Sequence, residues 1–186
     1  MKGFHIALQF LTRIPLPNCQ DYDANNVSRS VLFYPLVGLL IGLLLAALAW
    51  ILTDSPTFVA AGVVLTVWVA LTGALHLDGL ADCCDAWVGG LGDKQRTLRI
   101  MKDPACGPMA VSALVLTLLL KWTALMVILD EQLFVALMFM PVLGRTMMMA
   151  LMLSTPYVSP QGLGEALLRH LPMRTAWWVI AFSIVC

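Results

Sequence analysis

The stretch VLFYPLVGLLIGLLLAALAWIL, Val31–Leu52, carries no charged residue. A helix crossing the hydrocarbon core of a bilayer needs about 20 mostly apolar residues. Three more segments meet that length: Thr57–Leu77, Met109–Leu129 and Gln132–Leu153. A fifth begins near Thr175 and is cut by the chain end at Cys186. Bulk composition agrees, with 60% hydrophobic and only 12% charged residues in a chain of 186. A soluble domain carries about 25% charged residues. The expected fold is all-α: a polytopic membrane helix bundle with four complete spans and a partial fifth, forming a single transmembrane domain over residues 1–186. Residues 1–30 are expected to form an N-terminal interfacial segment. There Phe4, Ile6, Ala7, Leu8, Phe10 and Leu11 supply the apolar side of a short helix. Residues 78–108 read as a loop with acidic and basic residues. No cleavable signal peptide is visible, because Lys2, Arg13 and the turn run Pro15-Leu16-Pro17-Asn18 interrupt any continuous apolar region.

The 11 basic and 11 acidic residues cancel, which gives no reason to expect nucleic acid as a partner. The partners expected are membrane lipid and small molecules, and homo-oligomerisation is left open. The cysteines, Cys19, Cys83, Cys84, Cys106 and Cys186, are odd in number and lack C-x-x-C spacing. They read as small apolar thiols. Glycines Gly38, Gly42, Gly62 and Gly73 lie in the spans. They suit close helix approach, or reflect the ordinary frequency of glycine in membrane helices.

Loop charges set the orientation. Lys2, Arg13 and Arg29 precede the first span, Lys94, Arg96, Arg99 and Lys102 follow the second, and Arg169 and Arg174 follow the fourth. The turns 53–56 and 130–131 hold no basic residue. By the positive-inside rule the basic side is cytoplasmic.

On that side the chain reads His76-Leu77-Asp78-Gly79-Leu80-Ala81-Asp82-Cys83-Cys84-Asp85-Ala86-Trp87. Asp78, Asp82 and Asp85 stand at i, i+4 and i+7, one stripe of an α-helix. Like charges so placed repel. A hard divalent cation, Mg²⁺, would compensate them while keeping positions for substrate phosphates. The alternative is a solvated acidic helix end. Arg99 and Lys102, three apart, with Asp103 beside the Gly107-Pro108 break, suit a phosphate cradle or a headgroup contact. Gly107 would let the backbone approach a phosphate closely. Two cations lie within spans, Lys121 and Arg145, and intramembrane charges default to functional roles. Lys121 has a simpler reading, snorkelling or pairing with Asp130 or Glu131. Arg145 follows Gly144 and lies nearer the cytoplasmic side. His76 reads as a packed or second-shell residue.

These residues resemble the cobalamin synthase family, adenosylcobinamide-GDP ribazoletransferase. The acidic motif is similar to its signature. So are Phe10-Leu11-Thr12-Arg13-Ile14-Pro15-Leu16-Pro17, Tyr34-Pro35-Leu36-Val37-Gly38, Arg99-Ile100-Met101-Lys102-Asp103 with Gly107, Gly144-Arg145 and Gly162-Leu163-Gly164. The resemblance runs over almost the whole chain. It implies an enzyme of the bacterial inner membrane, with its site on the cytoplasmic face. A hydroxyl of α-ribazole, or of its 5′-phosphate, would attack adenosylcobinamide-GDP with Mg²⁺ as cofactor. Adenosylcobalamin, or its 5′-phosphate, and GMP would form. Under that reading Asp78, Asp82 and Asp85 hold the metal, and Asp82 or Asp85 takes the hydroxyl proton. Arg99, Lys102, Asp103 and Arg145 bind or orient phosphates. Family members run longer, so the domain is expected to be incomplete at its C-terminus. Two other classes remain to compare. CDP-alcohol phosphotransferases also place aspartates at helical spacing, but their longer acidic motif is not matched. A cation-coupled transporter would place charges near the midplane within paired repeats, and no internal repeat is present.

Overall fold

A computed structural model of the chain describes residues 2–17, 23–157 and 163–185. Cys19, Cys186 and Gly162 lie outside the described residues. The structure there is all helical: α1 Lys2–Leu11, α2 Ala24–Ser30, α3 Tyr34–Ile51, α4 Thr57–Thr72, α5 Leu75–Gly90, α6 Lys94–Ile100, α7 Pro108–Asp130, α8 Phe134–Ser154, α9 Leu163–Leu168 and α10 Met173–Val185. A 3₁₀ turn at Val31–Phe33 joins α2 to α3. Three helices are long and apolar enough to cross a membrane: Ala24–Ile51, Pro108–Asp130 and Phe134–Ser154. A fourth crossing is supplied if the bent pair α4 and α5 makes one span.

The chain divides into two units, residues 1–54 with 132–186, and residues 55–131. In the first, α3 packs along α8. Gly38 and Gly42 make that seam possible: a Cβ on Gly38 would lie 2.6 Å from the Pro141 carbonyl oxygen, and one on Gly42 would collide with that of Met138. Backbone-to-backbone approach of this kind is how membrane helices gain dispersion contacts without a hydrophobic driving force. Gly62 has no such role; its nearest neighbour would be Trp122 Nε1, at 3.8 Å. The glycines therefore divide by position, not by frequency.

Helix α1 packs part of its apolar side against protein. Ile6, Ala7, Leu8 and Leu11 are buried in protein, with Phe4 edge-on to Phe33 and Phe10 stacked on Tyr34. These residues cover the start of α3. Ser28 of α2 fastens α9: its hydroxyl donates to the Ala166 carbonyl at 3.0 Å and accepts the His170 N–H at 3.2 Å.

In the second unit the span expected to run to Leu77 stops at Thr72. Gly73 (φ 62°) and Ala74 (φ 58°) both take left-handed backbone, which no helix continues through. The chain turns by 86° and starts α5. Residues 78–108, expected as a loop, are thus largely helical: most of α5, then α6, whose first turn is capped by Asp93 accepting from Gln95 N–H at 2.8 Å and Arg96 N–H at 3.2 Å. Helix α6 folds back on α5 at Gly89 and Gly90, where added Cβ atoms would strike Ile100 and Thr97. The far end of α7 is tied to the start of α4, with the Thr57 hydroxyl donating to Asp130 at 2.6 Å and the Trp122 indole to the Phe58 carbonyl at 3.0 Å.

Gly42→Leu should part α3 from α8, an overpacking cost of about 1–3 kcal/mol or more. The check is a drop in thermal midpoint in detergent, with Gly62→Ala leaving the midpoint nearly unchanged.

Candidate functional site: a carboxylate helix capping the third long helix

Helix α5 begins at a broken backbone and ends beside α6. Leu77, Ala81 and Ala86 are buried, while Trp87 on the opposite side is 80% exposed. Asp78 is exposed, and Asp82 and Asp85 are partly exposed. The three carboxylates lie on one stripe, as the spacing requires.

Asp85 has a definite task. Helix α7 opens with Gly107 at its N-cap and Pro108 at its first turn, and Gly107 has no side chain to cap with. The first N–H groups of any helix lack intrahelical partners. Asp85 supplies them: its carboxylate accepts from Gly107 N–H at 2.5 Å and from Ala110 N–H at 2.9 Å. The positive end of the α7 dipole adds to the attraction. A Cβ at Gly107 would lie 2.8 Å from a carboxylate oxygen. The glycine lets an anion approach the backbone closely, and in the structure Asp85 is that anion. Sequence reading missed this link. The signal was present in Gly107-Pro108, a helix start with no capping side chain of its own.

Asp82 lies beyond the break that ends α4, outside the three helices long enough to cross a membrane by themselves. Its carboxyl is held above the usual carboxylate range, first by desolvation and then by the charges of Asp78 and Asp85. The charged form is the one disfavoured. A cation on the stripe would reverse that preference. Among the described residues no three His, Cys, Asp or Glu side chains are gathered in a metal-holding arrangement. What the stripe offers is two carboxylates one turn apart, Asp78 and Asp82, with Asp85 fixing the helix. That donor set suits Mg²⁺, which is commonly held by one or two carboxylates while substrate phosphates and water complete its shell.

The remaining candidates fall into place unevenly. Arg99 and Lys102 are exposed, and Lys102 N–H bonds the Arg99 carbonyl at 3.2 Å in the turn leaving α6. Asp103 accepts from Ala105 N–H at 3.0 Å, closing the next turn of the same connection. The connection that carries them ends at the Asp85 cap. Arg145 belongs to the first unit, on α8. His76 lies two residues before Asp78 on α5, with its Nε2 3.2 Å from Lys121 Nζ. Lys121 also stands over the Trp68 ring, 5.0 Å from its centroid. Nine residues, about two and a half turns, separate it from Asp130 along α7, and His76 and Trp68 reach it from α5 and α4. An ammonium donates, so the facing imidazole nitrogen accepts.

The architecture defines a class: a multi-helix membrane protein in which a helix bearing a carboxylate stripe follows a sharp backbone break and is anchored on the start of the next long helix. The chain belongs to the cobalamin-5-phosphate synthase family, whose model matches residues 3–186. A relative in Pseudomonas putida, named adenosylcobinamide-GDP ribazoletransferase, is 54% identical over 97% of this chain and 75% of its own length. Relatives of the same name in Pseudomonas aeruginosa and Acinetobacter baumannii are 50% and 47% identical, over 98% and 100% of this chain and 75% of their own lengths. No solved structure matches.

Asp85→Asn keeps one acceptor but sets an amide NH₂ against a backbone N–H, and should cost roughly 0.5–2 kcal/mol as a lost cap. The readout is limited trypsin digestion, with faster cleavage at Arg99 and Lys102 as the connection to α7 loosens.

Proposed function

We propose that the chain joins adenosylcobinamide-GDP to α-ribazole, or to its 5′-phosphate, releasing GMP and forming adenosylcobalamin or its 5′-phosphate. The observation that carries this reading is the ribazoletransferase name shared by relatives about half identical over nearly the whole chain. The carboxylate stripe supports it in kind. Phosphoryl transfer from a diphosphate depends on charge neutralisation and positioning more than on covalent chemistry by the protein.

In this reading Asp78 and Asp82 hold Mg²⁺, and the ion supplies charge neutralisation at the diphosphate. Asp85 keeps α5 in register with α7, and each of its oxygens retains a second lone pair for the ion or a hydroxyl proton. Asp82 or Asp85 accepts the proton of the attacking ribazole hydroxyl. Arg99 and Lys102 contact phosphate oxygens, and Asp103 orients their connection. Arg145 offers a further cation to an anionic substrate group. His76 steadies the start of α5 through Lys121. In this reading the membrane is the bacterial inner membrane, and the basic residues of the connections support a stripe on its cytoplasmic face by the positive-inside rule.

The test is GMP release by the purified chain given adenosylcobinamide-GDP and α-ribazole, with and without Mg²⁺. Release should need the ion and fall at least about 100-fold in Asp82→Asn. Undiminished release in that variant, or none from folded wild-type chain, would overturn the assignment. The pH dependence has a definite sign. Acid protonates Asp82 at a higher pH than an ordinary aspartate, so Mg²⁺ affinity is full above that range and lost as pH falls through it. In Asp78→Asn one repulsive charge is gone, and the residual loss should move to lower pH, as followed by Mg²⁺ titration.

A further inference from the structure

A cavity of about 350 Å³ lies within the first unit, walled by α1, the start of α3, the end of α8 and α9. Its volume falls in the range of roughly 300–1,000 Å³ typical of small-molecule sites. Three aromatic rings line it, Phe10, Tyr34 and Tyr157, together with Met148 and Met152. Phe10 and Tyr34 are already stacked, their centroids 6.2 Å apart and their planes 20° from parallel. Rings and thioethers of this kind favour a flat aromatic guest over a flexible aliphatic one.

The cavity also has a polar demand. Tyr34 is fully buried, and its hydroxyl has no hydrogen-bond partner. A buried hydroxyl left unsatisfied costs about 1–3 kcal/mol. Arg145 acts electrostatically on that hydroxyl, and its buried Nε likewise has no hydrogen-bond partner. On α8 Arg145 shares a stripe with Met148 and Met152, at i, i+3 and i+7. The apolar, aromatic wall therefore includes a tyrosine whose hydroxyl lacks a partner, and Arg145 stands one turn before the lining residue Met148 on α8. An acyl chain would satisfy the walls but not these two groups.

We propose that this cavity seats a nucleoside with a planar, apolar aromatic base, the base between Phe10, Tyr34 and Tyr157 and its sugar or phosphate oxygens toward Tyr34 and Arg145. The inference rests on the ribazoletransferase reading and names where the ribazole of that reaction is held. It makes Phe10 and Tyr34 specificity-determining, and assigns Arg145 to the acceptor nucleoside and not to the diphosphate.

The experiment is equilibrium dialysis of the detergent-solubilised chain against α-ribazole and, separately, adenosylcobinamide-GDP. Phe10→Leu keeps an apolar wall and removes a ring. Leu151→Trp fills the cavity from a residue that lines it and is 60% exposed, so the core is spared. Leu119→Trp, on an exposed position of α7, controls for a surface tryptophan. Circular dichroism melts confirm that each variant is folded. Both cavity variants should weaken α-ribazole at least about tenfold while changing adenosylcobinamide-GDP less than about twofold. Equal α-ribazole affinity in wild type and both variants overturns the inference and leaves the transferase reading standing. So does adenosylcobinamide-GDP binding without any α-ribazole binding by wild type. Binding of neither ligand overturns both.

Discussion

Asp85 carries the constraint on which the second unit depends. Helix α7 starts at a glycine and a proline, and neither can cap it with a side chain. Its first N–H groups need an acceptor, and the carboxylate 22 positions earlier in the chain provides two oxygens at 2.5 and 2.9 Å. One such bond to a charged group is worth about 1.5–3 kcal/mol. The geometric consequence matters more. With α5 pinned at Asp85, Asp82 and Asp78 take fixed places about one and two turns earlier, and the connection bearing Arg99, Lys102 and Asp103 must close onto the same point.

The break at Gly73–Ala74 serves the same end. A continuous helix from Thr57 would carry the aspartates straight along the axis of α4. Two consecutive left-handed residues turn α5 by 86°, so the stripe leaves that axis. Ala74 has a Cβ and still takes φ 58°, a conformation that costs an alanine about 1–2 kcal/mol. Packing of Leu77, Ala81 and Ala86 offsets that cost.

Much of this was legible in the sequence for physical reasons. Apolar length revealed α3, α7 and α8, since hydrocarbon thickness admits few alternatives. Spacing alone put the aspartates on one stripe. The rest depended on contacts between distant segments. Nothing local distinguishes Gly42, which meets the Met138 carbonyl, from Gly62, which meets little. Lys121 looked toward the near acidic residues of its own helix end, and Trp68 and His76 reach it from other helices. The left-handed alanine was illegible, because Ala is a strong helix former. Tyr34 stood out in the sequence only as part of a family-like motif, and its buried, partnerless hydroxyl became visible in the fold.

The central claim is that Asp78 and Asp82, held in place by Asp85, form a divalent-cation site. Electron paramagnetic resonance of Mn²⁺ titrated into the purified chain reads that site directly, because bound Mn²⁺ loses its free-ion signal. The account predicts saturable binding in wild type, competed by Mg²⁺ and lost in the folded double variant Asp78→Asn/Asp82→Asn. Saturable Mn²⁺ binding of unchanged affinity in that double variant would contradict it.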